Sequence, residues 1–493
     1  MAYRTHIRIL DDKSLLQIFS YYRLEEEDSW NLRVTWRKLA HICRRWRYLI
    51  FDSSFHLDMR LLLTNNSPSL DTLSHLPPIP LVIDYSDAST TITQKDEDNI
   101  HLGLQQPGRV RQFNLRASSS SLHMLYKSMN QLFSTLENLS LLSTTDEMSL
   151  VLPETFQAPD LRHLSLHGIG LSLPLLPSAI DLSTLSLTHI RDPSFSPRLL
   201  VTQLQGLPHL EELSIEFATP VSLPSSKEDL LLALDLPVTL LTLRLRRFTF
   251  RGLDVYLDRL VAQIDAPLLE QLTVTLFFDV TFNLVNLTQF VQRTEGVRCL
   301  VSRVIFNKDG VLIDAGDYKQ QDFGKQLSLH VHCEPLDWQL DSATQVCGAF
   351  LPAIEELSLD LDEDGIPSDW EDTLDSIMWH EFLLPFIGVT KLHIGYSLIL
   401  ELSRALGSVG GGLDLELLPE LQEVGVQFEI NHAKDLFSLF IETRESLGRP
   451  VHLLALPIPY AEPRVFPRYM KYVSPTPVRC DTIKYLTGLL TSI

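Results

Sequence analysis

One eight-residue phrase recurs along this chain and limits what it can fold into. Pro159-Asp160-Leu161-Arg162-His163-Leu164-Ser165-Leu166 returns as Pro208-His209-Leu210-Glu211-Glu212-Leu213-Ser214-Ile215 and again as Pro352-Ala353-Ile354-Glu355-Glu356-Leu357-Ser358-Leu359, so the common form is P-x-L-x-x-L-x-L. Relaxed copies centre on Phe113, Leu139, Leu164, Leu185, Leu213, Leu243, Leu272, Val304, Leu327, Leu357, Leu392 and Val424, at spacings of 21 to 35 residues. Successive side chains of a strand point to opposite faces, so x-L-x-L-x predicts a strand with one dry face and one wet face. Strands of that kind, stacked side by side, hide their leucines in one continuous core. The composition follows: 94 of the 493 residues are leucine, far above ordinary usage.

The phrase resembles the leucine-rich repeat, whose period is roughly 20 to 29 residues and whose L-x-x-L-x-L core is a short strand. The units here are irregular and often long, and the Asn or Cys that usually follows the strand is mostly missing. The resemblance implies an α/β fold, an irregular solenoid with a strand-lined concave face and with helices and loops on the convex side. Apolar spacing in Leu230 to Leu236 and Asp254 to Ile264 suits helical returns. The competing reading is a compact α/β protein in which the same pattern marks ordinary strands. The units at Val304 and Leu327 are the weakest, and Val297 to Gln326 inserts a polar, Gly-containing stretch that reads as a loop or hairpin.

Charge divides the chain. Residues 1–63 carry a net +3 and the remainder −24, within a total of −21. Such acidity argues against nonspecific nucleic-acid or anionic-membrane binding. In the first segment, apolar residues at 15, 16, 18, 19 and 22 follow Asp11 and Asp12, either of which can cap a short amphipathic helix. A second helix is expected from Trp36 to Phe51, with Leu39, Ile42, Cys43, Trp46, Leu49 and Ile50 on one side.

This segment resembles an F-box. Leu10, Leu15, Ile18 and Phe19 match its L-P-x-E-L-L-x-x-I-F opening, and Cys43, Arg44 and Trp46 match its C-R-x-W signature. Asp11, Lys13 and Ser14 replace the usual proline, glutamate and first leucine, and Arg23 to Thr35 lengthens the connection between helices. Followed by leucine-rich repeats, it is similar to the substrate receptors of cullin-RING ubiquitin ligases, with fungal F-box-like proteins the nearest likeness. That resemblance implies a Skp-type adaptor held by Leu10, Leu15, Leu16, Ile18, Phe19, Leu39, Cys43, Trp46, Leu49 and Ile50. It implies an unidentified protein target on the repeats and a role through proximity rather than bond chemistry. Two other readings stay open: a helical cap that shields the first repeat, and a protein-binding scaffold with no ubiquitin role.

Target-binding candidates are wet strand positions: His163, His167, Glu212, Glu216, Arg244, Arg246, His330 and His393. Arg244 and Arg246 are the preferred pair, because two guanidinium groups on one strand face can share an anion. Asp360, Asp362, Asp364 and Glu371 fit the EF-hand loop expression literally, but Ile354 to Leu359 reads as a strand where that motif needs a helix. A solvated acidic loop is the expectation there. His330 and His332 share a strand face while Cys333 points away, too few ligands for a closed zinc site.

No nucleophile elbow, Walker loop or dinucleotide fingerprint occurs, so no enzyme activity, cofactor or metal is expected. The five cysteines (Cys43, Cys299, Cys333, Cys347, Cys480) contain no CxxC pair, which suits reduced thiols and a cytoplasmic or nuclear setting. No signal-peptide core and no apolar run of membrane-spanning length is seen. The expected organisation is a helical module over 1–63, a linker with a first strand or cap over 64–105, the solenoid over 106–450, and a Pro-rich cap or tail over 451–493.

Overall fold

The computed structural model describes residues 10–24, 35–53, 60–65, 79–87, 92–145, 150–153, 155–170, 178–191, 195–218, 240–277, 285–294, 296–297, 299–316, 325–333, 335–351, 353–362, 376–407, 417–427 and 430–455. Expected features at 230–236, 364, 371 and 456–493 lie outside those residues.

Among the described residues, sixteen strands join one sheet. They are β1 (Leu61–Leu63), β2 (Leu81–Tyr85), β3 (Val110–Ala117), β4 (Asn138–Ser143), β5 (His163–His167), β6 (Thr184–Ile190), β7 (Glu212–Phe217), β8 (Arg247–Gly252) and β9 (Gln271–Leu276), then β10 (Val301–Asn307), β11 (Gly310–Gly316), β12 (Lys325–His332), β13 (Glu356–Leu361), β14 (Lys391–Ile394), β15 (Glu423–Val426) and β16 (His452–Ala455). From β1 to β9 and from β13 to β16 each strand pairs in parallel with the next.

The register shows why the repeat folds this way. Phe113, Leu139, Leu164, Leu185, Leu213, Phe248, Leu272 and Leu327 stand opposite one another across eight neighbouring strands. A second column two residues on runs Leu115, Leu141, Leu166, Leu187, Ile215, Phe250, Val274 and Leu329, and every member of both columns is buried. Each such side chain contributes roughly 1.5–3 kcal/mol through burial. Strand entry repeats as well: the Glu137 carbonyl accepts from the amides of Arg162 and His163, that of Arg162 from Ser183 and Thr184, that of Ser183 from Glu211 and Glu212, that of Glu211 from Arg246 and Arg247, and that of Arg246 from Glu270 and Gln271. The result is a leucine-rich-repeat-like solenoid, mixed α and β.

Two copies of the phrase fall elsewhere than the sequence suggested. Leu240-x-x-Leu243-x-Leu245 does not supply the sheet strand: Leu241–Thr242 pairs with Ile264–Asp265 in a separate two-stranded sheet. The main-sheet strand is five residues later, in Leu245-x-x-Phe248-x-Phe250, where two phenylalanines fill the leucine columns. Val304, expected in the first column, sits in the second, opposite Leu359.

The stretch expected as a loop or hairpin is a hairpin that stays within the sheet. β10, β11 and β12 form an antiparallel meander, placed in reverse order so that β12 pairs with β9 and β10 with β13. The chain therefore crosses two strand positions on entering the meander and two on leaving it.

Helices cover one face. α4 (Gln94–Leu104) and α5 (Ser119–Met129) pack together near the start. Further on, α6 (Pro197–Leu204), α7 (Asp254–Val261), α8 (Val285–Arg293), α9 (Leu336–Phe350), α10 (Ser376–Leu383), α11 (Ile399–Gly407) and α12 (Ile430–Ser446) form a continuous row. α7 coincides with the helical return expected at Asp254. Neighbouring strands lie about 4.8 Å apart and neighbouring helices about 8–10 Å apart, so helices on one side bend the stack toward its strands.

At the N-terminus stand α1 (Asp12–Leu24), α2 (Thr35–Ala40) and α3 (Arg44–Asp52). Asp11 caps α1, its carboxylate accepting from the Ser14 amide at 2.6 Å. The single helix expected over Trp36 to Phe51 is instead two, because Cys43 takes an extended conformation and its Sγ accepts from the Trp46 amide, capping α3. Arg45 ties α3 to α1 through Asp12 at 2.7 Å and the Leu10 carbonyl at 2.7 Å. β2 lies in the 64–105 segment expected to hold a linker with a first strand or cap, and β1 lies at the end of the 1–63 module; among the described residues the sheet runs from Leu61 to Ala455.

Candidate protein-interaction surfaces

The face opposite the helices is built from the residues that alternate with the buried columns. Its middle row is Asn114, Ser140, Ser165, Ser186, Ser214, Thr249, Thr273 and Ser328, one residue from each of eight adjoining strands. Seven successive hydroxyls give a level, hydrogen-bonding floor. Gln112, Asn114, Asn138, Ser140, His163, Ser165 and Thr184 line a shallow depression in it.

Charged residues flank the floor and mostly neutralise one another. Arg247 pairs with Glu212, Arg246 with Glu270 at 2.6 Å, and Arg303 with Asp360 at 2.7 Å. Asp314 accepts from the Ser328 hydroxyl at 2.7 Å. His393 approaches Glu356 at 3.7 Å. His163 and His167 bond the hydroxyls of Thr184 and Thr188 at 3.1 and 2.9 Å, and His167 stacks on His189 with ring centres 5.1 Å apart.

Of the target-binding candidates, His163, His167, Glu212, Glu216, His330 and His393 do lie on strands of this face. Arg244 and Arg246 do not. Arg244 precedes the strand and is exposed, while Arg246 gives its carbonyl to strand entry and its guanidinium to Glu270. The arginines carried by that strand are Arg247 and Arg251. With Phe248 as the central apolar residue, the wet positions one before and one and three after it are Arg247, Thr249 and Arg251. Taking Leu243 as the centre of this unit hid them.

Around Arg251 lies the most unusual chemistry of the face. Glu216, Arg251, Thr275 and His330 follow one another across four strands. The Arg251 guanidinium lies over the Phe277 ring, 5.4 Å from its centre, and the His330 and His332 rings are 4.2 Å apart. Burial pushes the His330 pKa down to about 4, with further lowering from His332 and Arg251. His332 is lowered by burial and by Arg251, against the opposing pull of Asp309. Burial raises the Glu216 carboxyl, and Arg251 opposes that shift.

Of the acidic-loop candidates, Asp364 and Glu371 lie outside the described residues. Asp360 is a strand residue, its carboxylate engaged by Arg303 and by the Leu361 amide. Asp362 follows the strand, and no cluster of metal-ligating groups is found among the described residues. Cys333 is buried apart from the two histidines.

The adaptor-facing candidates divide sharply. Leu15, Phe19, Trp46 and Ile50 are internal, part of an apolar core that continues into Leu61 and Leu63, with the Phe19 and Trp46 rings edge to face at 4.8 Å. They build the helices' packing rather than an outer surface. Leu10, Leu16, Leu39 and Leu49 are half-buried against that core. Ile18 and Cys43 are exposed, and beside them in sequence stand the exposed apolar residues Tyr21, Ile42 and Tyr48.

No protein-family model and no curated protein matches the chain. Among solved structures it is similar to the leucine-rich repeat-containing protein LegL7 from Legionella pneumophila, at 12% identity over 78% of this chain and 97% of that one, with a TM-score of 0.27. No described helix is long and apolar enough to cross a membrane.

Proposed function

We propose that the chain is a non-enzymatic protein-binding scaffold whose open sheet face receives a protein target. We further propose that its N-terminal helices dock on a Skp-type adaptor, making it the substrate-recognition subunit of a cullin-RING ubiquitin ligase in the cytoplasm or nucleus. The observation that carries the adaptor reading is the exposure of Ile18, Tyr21 and Tyr48 on the helices and of Ile42 in the turn before α3, at 46%, 61%, 69% and 57%, around a core already filled by Leu15, Phe19, Trp46 and Ile50. Large apolar residues left outside a completed core mark contact surfaces.

The scaffold reading draws on the hydroxyl floor. A broad, level, polar surface fixed by sixteen paired strands suits a folded partner better than a small substrate, which calls for a concave apolar pocket. Coexpression of the full chain with the adaptor tests the ubiquitin connection. The expected result is copurification that Ile18→Asp combined with Tyr48→Asp abolishes while the chain stays folded. No copurification leaves a repeat scaffold without a ubiquitin role, the second reading the fold supports.

A further inference from the structure

Arg251 differs from Arg247 and Arg303 on the same face. Arg247 and Arg303 have carboxylate partners, but among the described residues the Arg251 Nε is shut off from solvent with no hydrogen-bond partner, and the same holds for the His330 Nε2. The neighbours make this harder to explain as packing. Arg251, His330 and His332 are positive or proton-accepting groups gathered side by side, with Arg251 lowering the basicity of both histidines and His332 that of His330, in a protein whose net charge is −21. A folded chain ordinarily spreads such groups or pairs them with carboxylates. Glu216 is close enough to feel Arg251 electrostatically yet forms no ion pair with it.

We infer that Arg251, His330 and His332, with Phe277 as an apolar wall, form a subsite for one carboxylate side chain, an Asp or Glu of the protein target laid across the open face. This deepens the reading of that face as the target surface and rests on it. A guanidinium offers two parallel donors to a carboxylate, the geometry lysine cannot match. Arg251 and His330 are already half-buried, so an arriving anion meets a strengthened field without the full cost of drying the site. The Phe277 ring, buried at 4% exposure, backs the Arg251 guanidinium from within. A single charge is favoured over a doubly charged phosphate: the histidines are neutral at pH 7, leaving one fixed cation, and the Glu216 carboxylate repels additional negative charge.

The test titrates full-length protein, labelled with carbon-13 in its histidine rings, with the capped peptide acetyl-(Glu)4-amide. Acetyl-(Gln)4-amide and inorganic phosphate serve as comparison ligands. His330→Gln and His332→Gln assign the two ring signals. The expected result is a saturable shift of both signals with the glutamate peptide and none with the glutamine peptide. Affinity should fall at least tenfold in Arg251→Gln and rise several-fold in Glu216→Gln, which removes the repelling charge. Equal shifts with the glutamine peptide, no shift with the glutamate peptide, or unchanged affinity in Arg251→Gln overturns the inference. Phosphate saturating the site at lower concentration than the glutamate peptide overturns the choice of a carboxylate. Should Arg251→Gln fail to fold, Glu216→Gln decides the matter, and no gain in affinity there counts against the subsite. The adaptor copurification depends on the N-terminal helices alone, so it survives or fails separately.

Discussion

At the scale of single residues, each repeat strand gives its two faces opposite duties, and substitutions should report the difference. Leu213 and Ser214 are sequence neighbours on β7, one buried at 1% exposure in the leucine column and one on the open face. Leu213→Ala removes side-chain volume from a site walled by its counterparts Leu185 and Phe248, and should cost about 2–5 kcal/mol in denaturant-induced unfolding. Ser214→Ala should stay within about 0.5 kcal/mol. His330 gives a pH signature. Its folded pKa of about 4 lies below the 6.5 of an unfolded histidine, so between those values the unfolded chain binds more protons. Its contribution is complete above pH 6.5 and disappears as pH falls toward 4. His330→Gln should flatten the stability profile across that window, by on the order of 2 kcal/mol, with little effect at pH 8. Alternation made the faces legible in the sequence, but the partners were not. Nothing in the local pattern around Arg251 distinguishes it from Arg247, because pairing with Glu212 depends on which residue stands across the strand.

Elements that depart from the repeat depend on backbone geometry more than on side-chain type. Gly310 opens β11 at a φ of +150°, and a Cβ there would meet the Val331 carbonyl oxygen at 2.0 Å. The turn between β10 and β11 can press against β12 only with glycine at this place. Gly310→Ala should therefore cost more than about 2 kcal/mol in thermal unfolding, and it should shift amide signals of β10 to β12 before those of β3 to β6. Near the other end, Arg444 of α12 is buried and donates to the carbonyls of Leu418, Pro419 and Leu421 at 3.3, 3.2 and 2.8 Å. Arg444→Met would strand three acceptors, a loss of about 3 kcal/mol or more by the same measurement. A polar, Gly-containing insertion was visible in the sequence at 297–326. Its conversion into three sheet strands in reverse order was not, since the phrase L-x-x-L-x-L records a strand and its dry face but carries no direction. The break before α3 was hidden for a related reason: a cysteine acting as a cap looks the same in sequence as a cysteine on an apolar helix face.

For the whole molecule, the repeat ties length to the number of stacked strands. The phrase foretold that much, together with the continuous core. It missed the ends, where the copies are least leucine-like: β1 and β2 have no full copy of the phrase, yet their residues Leu63 and Ile83 extend the first column to Phe113. A stack in which each strand touches only its neighbours gains stability by local interfaces, so opening is cheapest at the ends. Among the described residues β16 is the last strand of the sheet and is mostly exposed, with Leu454 at 43%. β7 to β9 are covered on both sides by paired strands and on one face by α6 to α8. Native-state hydrogen exchange should therefore show amides of β16 and β15 exchanging first, and those of β7 to β9 last. Leu213→Ala should lower protection in β6 to β8 while leaving β14 to β16 close to wild type. A uniform loss across all sixteen strands would mean that the sheet opens as one cooperative unit, and that the meander of β10 to β12, which crosses two strand positions in each direction, binds the two parallel blocks together more tightly than a stack of independent repeats would allow.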